Sequence, residues 1–277
     1  MSQKSLIGYQ KGDSFIHGLS AVSKLLAFLV ISILVMVTYD TRLILGLGLL
    51  SLVFFKLSAI RLKKVSFVLA LAIVFALLNV VMVYLFAPEY GVELYGSKAL
   101  LWQGIGSYTV TSQELFYLLN LALKYFSTVP LALVFLMTTH PSQFASSLNR
   151  IGLSYRIAYA VSLTMRYIPD IQEEFYTIRL SQEARGLELS KKAPLLQRIK
   201  GNLALVTPLI FSSLERIDTV STAMELRRFW KNKARTWYSY QAMKIVDWLV
   251  LFLLLILICL TIGLFFVNQG RFYNPWA

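Results

Sequence analysis

"RYIPDIQEEFYTIRLSQEARG", residues 166–186, is the stretch on which the fold turns. It is charged and helix-prone, with apolar residues recurring between the charges. It follows "IAYAVSLTM" (157–165), an apolar run too short to cross a membrane. An apolar start with a mixed, periodic continuation predicts one long helix, partly at a membrane interface and partly in water. Gly186 can end that helix at a left-handed cap, and Pro194 can open the next segment. The next segment repeats the plan. "LALVTPLIFSSL" (203–214) is apolar and short, and "ERIDTVSTAMELRRF" (215–229) continues it with mixed charge.

The two helix ends carry related phrases. Aligning "EARGL" (183–187) with "ELRRF" (225–229) matches Glu183 with Glu225, Arg185 with Arg227 and Leu187 with Phe229. One reading is local: a cation near a helix C-terminus is favourable against the dipole by about 0.3–1 kcal/mol. The other is recognition. Two arginines at matching helix ends resemble two plugs, and a planar guanidinium can engage carboxylates and carbonyls together. Ala184 and Gly186 leave room for a partner backbone. At the second end Leu226 and Arg228 stand in their places, with no glycine to stop the helix.

The rest of the chain is far more apolar. Of its 277 residues, 57% are hydrophobic and 15% charged, against about 45–50% and about 25% in a soluble domain. A spanning helix takes ~20 mostly apolar residues, with a range of about 17–25. Five candidates follow: Val22–Tyr39, Thr41–Leu57, Val65–Ala87, Leu115–Thr138 and Ile245–Val267. The predicted class is an all-α membrane protein of about five transmembrane helices with long cytoplasmic helices. The expected division is 1–138 with four spans, 139–244 with the cytoplasmic or interfacial helices, and 245–277 with the last span and tail.

The net charge of +13 is in this setting a topology signal, because Lys and Arg collect in cytoplasmic loops. Ser58–Lys64 carries Arg61, Lys63 and Lys64, and the segment from Thr139 to Lys244 holds more than half of all Lys and Arg. Pro88–Glu114 is more acidic and reads as an external loop. These place the N-terminus in the cytoplasm and the C-terminus outside. The apolar runs argue against a nucleic-acid partner. The N-terminus lacks the pattern of a cleavable signal peptide. A single cysteine, Cys259, allows no disulfide framework or cysteine-based metal site within the chain.

Three stretches resemble one known family. "GDSFIHGLSAVSKL" (12–25) is similar to its approach to the first span, and "MTTHPSQFASSLNRIGL" (137–153) to its first coupling helix. "LTMRYIPDIQEEFYTIRLSQEARG" (163–186) is the most specific, joining an Arg-Tyr-Ile-Pro turn to an Ala-Arg-Gly motif. On these residues the chain resembles the transmembrane coupling subunit of energy-coupling-factor (ECF) transporters, called EcfT or, in cobalt systems, CbiQ. The resemblance covers nearly the whole sequence. It implies a non-catalytic subunit of a vitamin or metal importer in a bacterial or archaeal plasma membrane. Two ATP-binding-cassette ATPases would dock at Ala184, Arg185 and Gly186 and at Leu226, Arg227 and Arg228, with Glu183 and Glu225 supporting. ATP and magnesium would be bound by those partners, with no cofactor on this chain. A small membrane-embedded substrate-binding protein, the S component, would sit against apolar faces of the coupling helices. Only Arg227 of the second motif keeps the family's residue, and that inequality points to two non-identical ATPases.

The other reactive residues read as structural. Lys124 lies mid-span, where a cation costs at least ~2.5–3.5 kcal/mol; a partner within the bundle is favoured over a substrate path. Asp170, Glu173 and Glu174 share a helical face and read as solvated, with Arg166 and Arg179 nearby. His17 and His140 lie far apart in sequence, and His140-Pro141 reads as a helix start. No P-loop, HExxH or GxSxG pattern occurs. The alternative function is a secondary transporter or channel with its own path. It lacks the internal repeat and paired broken helices that such proteins often show.

Overall fold

The structure, a computed structural model, describes residues 9–10, 12–103, 108–186, 194–229, 231 and 236–276. The helices are α1 (Phe15–Gly18), α2 (Ala21–Val37), α3 (Thr41–Leu57), α4 (Leu62–Phe86), α5 (Tyr90–Tyr95), α6 (Ser112–Thr138), α7 (Pro141–Arg150), α8 (Tyr155–Ala184), α9 (Leu195–Leu226) and α10 (Ile245–Val267). A small antiparallel hairpin, β1 (Leu100–Trp102) and β2 (Val110–Thr111), pairs Leu100 with Thr111 and Trp102 with Val110. The chain divides into two compact units, Met1–His140 with Gln241–Ala277, and Pro141–Tyr240.

In the first unit α6 is the central post, packed against α2, α3, α4 and α5, while α10 lies on α2. The main apolar cluster joins Ile31 and Val35 of α2, Leu43 and Leu47 of α3, Leu131 of α6 and Leu254 of α10. A second cluster joins Val65 of α4 to Leu133 and Met137 of α6. Helices α4, α6 and α10 are long and apolar enough to cross a membrane. Helices α2 and α3 have 17 residues each, a length of about 26 Å against a hydrocarbon core of ~30 Å. The five expected segments therefore all form helices, three of them of full spanning length.

Two features differ from the sequence reading. Helix α4 begins at Leu62 rather than Val65, because Arg61 in extended conformation serves as its cap and Lys63 and Lys64 become its first turn. The 88–114 connection holds α5 and the hairpin. Gly91 makes this possible: a Cβ there would meet the Gln113 carbonyl oxygen and the Glu114 Cα at 2.7 Å. Its N–H donates to Glu114 Oε2 at 2.7 Å.

Polar side chains also tie distant parts of the bundle. Asp247, in the first turn of α10, accepts from the Ser20 N–H (2.8 Å), the Ser23 hydroxyl (2.6 Å) and the Lys244 N–H (2.8 Å). Lys24 Nζ donates to the Thr138 carbonyl at 2.9 Å. Lys124 is 5% exposed. Its ammonium donates to the Met36 carbonyl at 2.8 Å and lies 3.2 Å from the centre of the Tyr39 ring. Both partners lie at the end of α2 or just beyond it, where a cation meets free carbonyls. The buried cation has the bundle partner that its position demands.

The second unit is built on α8 and α9. "RYIP" (166–169) is no turn: Pro169 lies inside the continuous helix α8, as Pro208 lies inside α9. Helix α7 packs on α8 after a tight connection in which Gly152 takes φ 111°.

Candidate functional site: two arginine-bearing helix ends

Helices α8 and α9 run antiparallel. Phe229 lies on Tyr159 and Tyr155, with ring centres 4.6 and 5.8 Å apart. Further along, Arg216 reaches Asp170 (3.7 Å) and Glu174 (3.1 Å), and the Ser212 hydroxyl donates to Glu174. Residue numbers rise on α8 as they fall on α9. Asp170 and Glu173 are exposed, as a solvated face would have them, but Glu174 is partly buried against the second helix. Glu174, with Asp170 at longer range, holds the second helix through Arg216, which also lies 5.6 Å from the Tyr167 ring centre. The pattern was present in the sequence as Asp170/Glu174 and Ser212/Arg216, each pair four residues apart and so on one face. Arg179 instead bonds Glu183 at 2.9 Å within α8.

The antiparallel pairing sends the two arginine ends in opposite directions. At 1.5 Å per residue, α8 extends about 40 Å from Tyr159, beside the second end, to Arg185 at the first. The two motifs therefore cannot share one small partner surface.

The ends have the same backbone. Arg185 (φ −84°, ψ 7°) and Arg227 (φ −83°, ψ 8°) are the cap residues. The next residue is left-handed in both: Gly186 at φ 91° and Arg228 at φ 50°. The Gly186 N–H donates to the Glu183 carbonyl (3.0 Å), and the Arg228 N–H to the Glu225 carbonyl (2.8 Å). At the second end the Phe229 N–H also reaches Met224 O at 2.9 Å, completing a Schellman cap. This corrects the expectation that the second helix needs a glycine to stop. Arg228 takes the strained conformation, and the burial of Phe229 (7% exposed) holds the chain in it.

The ends differ in side chains. Ala184, Arg185 and Gly186 are exposed, and so are Glu225, Leu226, Arg227 and Arg228. Leu226 is 80% exposed, whereas Phe229, three residues on, is buried. Glu183, paired with Arg179, steadies the first end from within its own helix. Leu187, matched with Phe229 in sequence, lies outside the described residues.

Comparison with known proteins agrees with this architecture. The sequence model of the CbiQ family, described as "Cobalt transport protein", matches residues 12–238. The energy-coupling factor transporter transmembrane protein EcfT of Lactococcus lactis subsp. cremoris is 25% identical over 274 residues, 92% of this chain and 98% of that one. Its namesake in Staphylococcus aureus is 27% identical over 253 residues, 88% and 90% of the two chains. A Bifidobacterium longum protein that carries the name of an ABC transporter ATP-binding protein is 31% identical over 140 residues, 48% of this chain and 18% of that protein. A helical membrane bundle, paired long helices and a match over most of the chain converge: this protein belongs to the CbiQ/EcfT family of transmembrane components of ECF transporters.

Proposed function

We propose that the chain couples ATP hydrolysis by two cytoplasmic ATPases to an S component that delivers a vitamin or metal ion. One observation carries the reading: two exposed arginines with matching backbone angles cap opposite ends of one antiparallel helix pair. A lone arginine at a helix end serves the dipole. Two with matched backbones, about 40 Å apart along α8, suit two separate sockets. The local similarity to a protein named for ATP binding supports the same partner class. ATP and magnesium belong to those partners.

The two ATPases are non-identical in this reading, and the ground is now the side chains alone. Ala184 and Gly186 admit a close backbone, whereas Leu226 and Arg228 present bulk and a second cation. The S component sits on apolar faces of the long helices, where Leu203, Ile210, Phe211 and Leu214 are all at least half exposed. Five spans with N-terminus inside and C-terminus outside follow from the basic 58–64 loop and from α2 and α3 at the short end of spanning length.

The test is Arg185→Ala in the co-expressed complex, with Arg227→Ala beside it. Each variant should insert normally and lose import. ATPase retained at the affected end should fall by at least tenfold, since truncating one partner of a desolvated charge pair costs about 2–5 kcal/mol. Wild-type import and wild-type ATPase content in both variants would reduce the arginines to dipole caps.

A further inference from the structure

An apolar groove of 480 Å³ runs between α3, α4 and α6, with Phe55, Leu62, Ala72, Ala76, Val80 and Phe126 among its walls. From Leu62 to Val80 it follows α4 for about 27 Å, more than the depth of one leaflet of a ~30 Å hydrocarbon core. One end is marked by charge. Leu62 lies between Arg61 and Lys63, with Lys64 next, and all three cations are exposed. No Asp or Glu occurs in the sequence between Asp40 and Glu89. Among the described residues no ion pair reaches these cations. Lys63 and Lys64 also stand in the first turn of α4, where the helix dipole repels rather than favours them.

We infer that the groove holds one acyl chain of an anionic glycerophospholipid, whose phosphate is bound by Arg61, Lys63 and Lys64. The apolar walls alone would accept any lipid tail. The basic rim selects the headgroup, because an anionic lipid brings a net negative charge that a zwitterionic one lacks and that no ion pair among the described residues supplies here. The phosphodiester carries a single negative charge, drawn by the summed field of three cations, and the tail anchors it where free phosphate would exchange. That the headgroup lies in the cytoplasmic leaflet rests on the orientation given above; the binding itself does not.

The complex, stripped of lipid in detergent, is titrated with phosphatidylglycerol and with phosphatidylcholine of the same acyl chains, and bound lipid is counted by native mass spectrometry. One phosphatidylglycerol should bind at least tenfold more tightly than phosphatidylcholine. The triple variant Arg61→Gln, Lys63→Gln, Lys64→Gln should bind the two lipids equally. Ala72→Trp with Ala76→Trp, which fills the groove, should weaken both; if that variant aggregates, the charge variant decides. Inorganic phosphate at millimolar concentration should leave the tightly bound lipid in place. Equal binding of the two lipids by the wild type overturns the proposal, as does a preference that survives the triple variant, or full displacement by phosphate. Lipid binding by the isolated chain that vanishes in the complex would make the groove a protein interface and overturn it equally. None of these readouts depends on transport, so a failed lipid site and a failed coupling role are told apart.

Discussion

Arg228 occupies, at the end of α9, the left-handed backbone position that Gly186 occupies at the end of α8. An L-residue in that region costs about 1–2 kcal/mol relative to its ordinary conformations, and glycine escapes this cost. A Cβ at Gly186 would meet nothing within 4 Å, so a substitution there is opposed by conformation alone. Gly186→Ala should fray the end of α8, with amide exchange around Arg185 faster by roughly a factor of ten, about 1.4 kcal/mol. Arg228→Gly should slow exchange at the end of α9. The opposite signs in hydrogen-exchange mass spectrometry would mean that the caps are not equivalent.

The pairing of the two helices should rest unequally on its two acids. Glu174 has a side chain 20% exposed and takes bonds from both Arg216 and Ser212, whereas Asp170 is 51% exposed and 3.7 Å from Arg216. Glu174→Ala should lower the stability of the helix pair by about 1–3 kcal/mol, and Asp170→Ala by less than about 1 kcal/mol. Thermal unfolding of the detergent-solubilised protein, with Arg216→Ala to complete the cycle, gives the coupling energies directly. Equal losses would place the acids in equivalent environments.

Lys124→Met should retain import within about twofold. The ammonium is occupied by the Met36 carbonyl and the Tyr39 ring, and removing it leaves one carbonyl underbonded, a loss of about 1–3 kcal/mol. Lys124→Glu should prevent accumulation of the folded protein. A Lys124→Met protein that is stable yet inactive in transport would revive the reading of a path through the bundle.

Asp247→Asn should be more harmful than its size suggests. The carboxylate accepts from Ser20, Ser23 and Lys244, and an amide turns a donor toward at least one of those donors. The expected loss is about 1–3 kcal/mol, read as a lower midpoint of thermal aggregation. Ser23→Ala removes a single bond and should lower it less.

Orientation is checked with single cysteines in a Cys259→Ser background. Gln103→Cys, exposed beside the hairpin, should label from outside with an impermeant maleimide. Ser190→Cys, outside the described residues, should label only after the membrane is opened. The reverse pattern would invert the topology.

The sequence announced the helices well, because long apolar runs and mixed periodic runs have few other uses. Boundaries such as Leu62, and the hairpin inside the 88–114 connection, depended on contacts that no local pattern encodes. Gly91 is a clear case, since its need for room comes from Gln113 and Glu114. At the helix ends the sequence located both arginines but misjudged the stop at Arg228. A glycine is the usual local sign of a left-handed cap, and here the cap is enforced by Phe229 seated on Tyr155 and Tyr159 of another helix. Glu174 was misread for a related reason: its cation, Arg216, lies on α9 rather than on its own helix.

The bonds from Ser20 and Ser23 to Asp247 span 227 and 224 positions of sequence. During synthesis the amide of Ser20 and the hydroxyl of Ser23 leave the ribosome first, and the carboxylate that satisfies them emerges after almost everything else. Until then the first membrane helix has two donors at its start without their final acceptor. A chain that ends before α10 therefore keeps the Ser20 cap of its first membrane helix but lacks the acceptor that ties that helix to the last one.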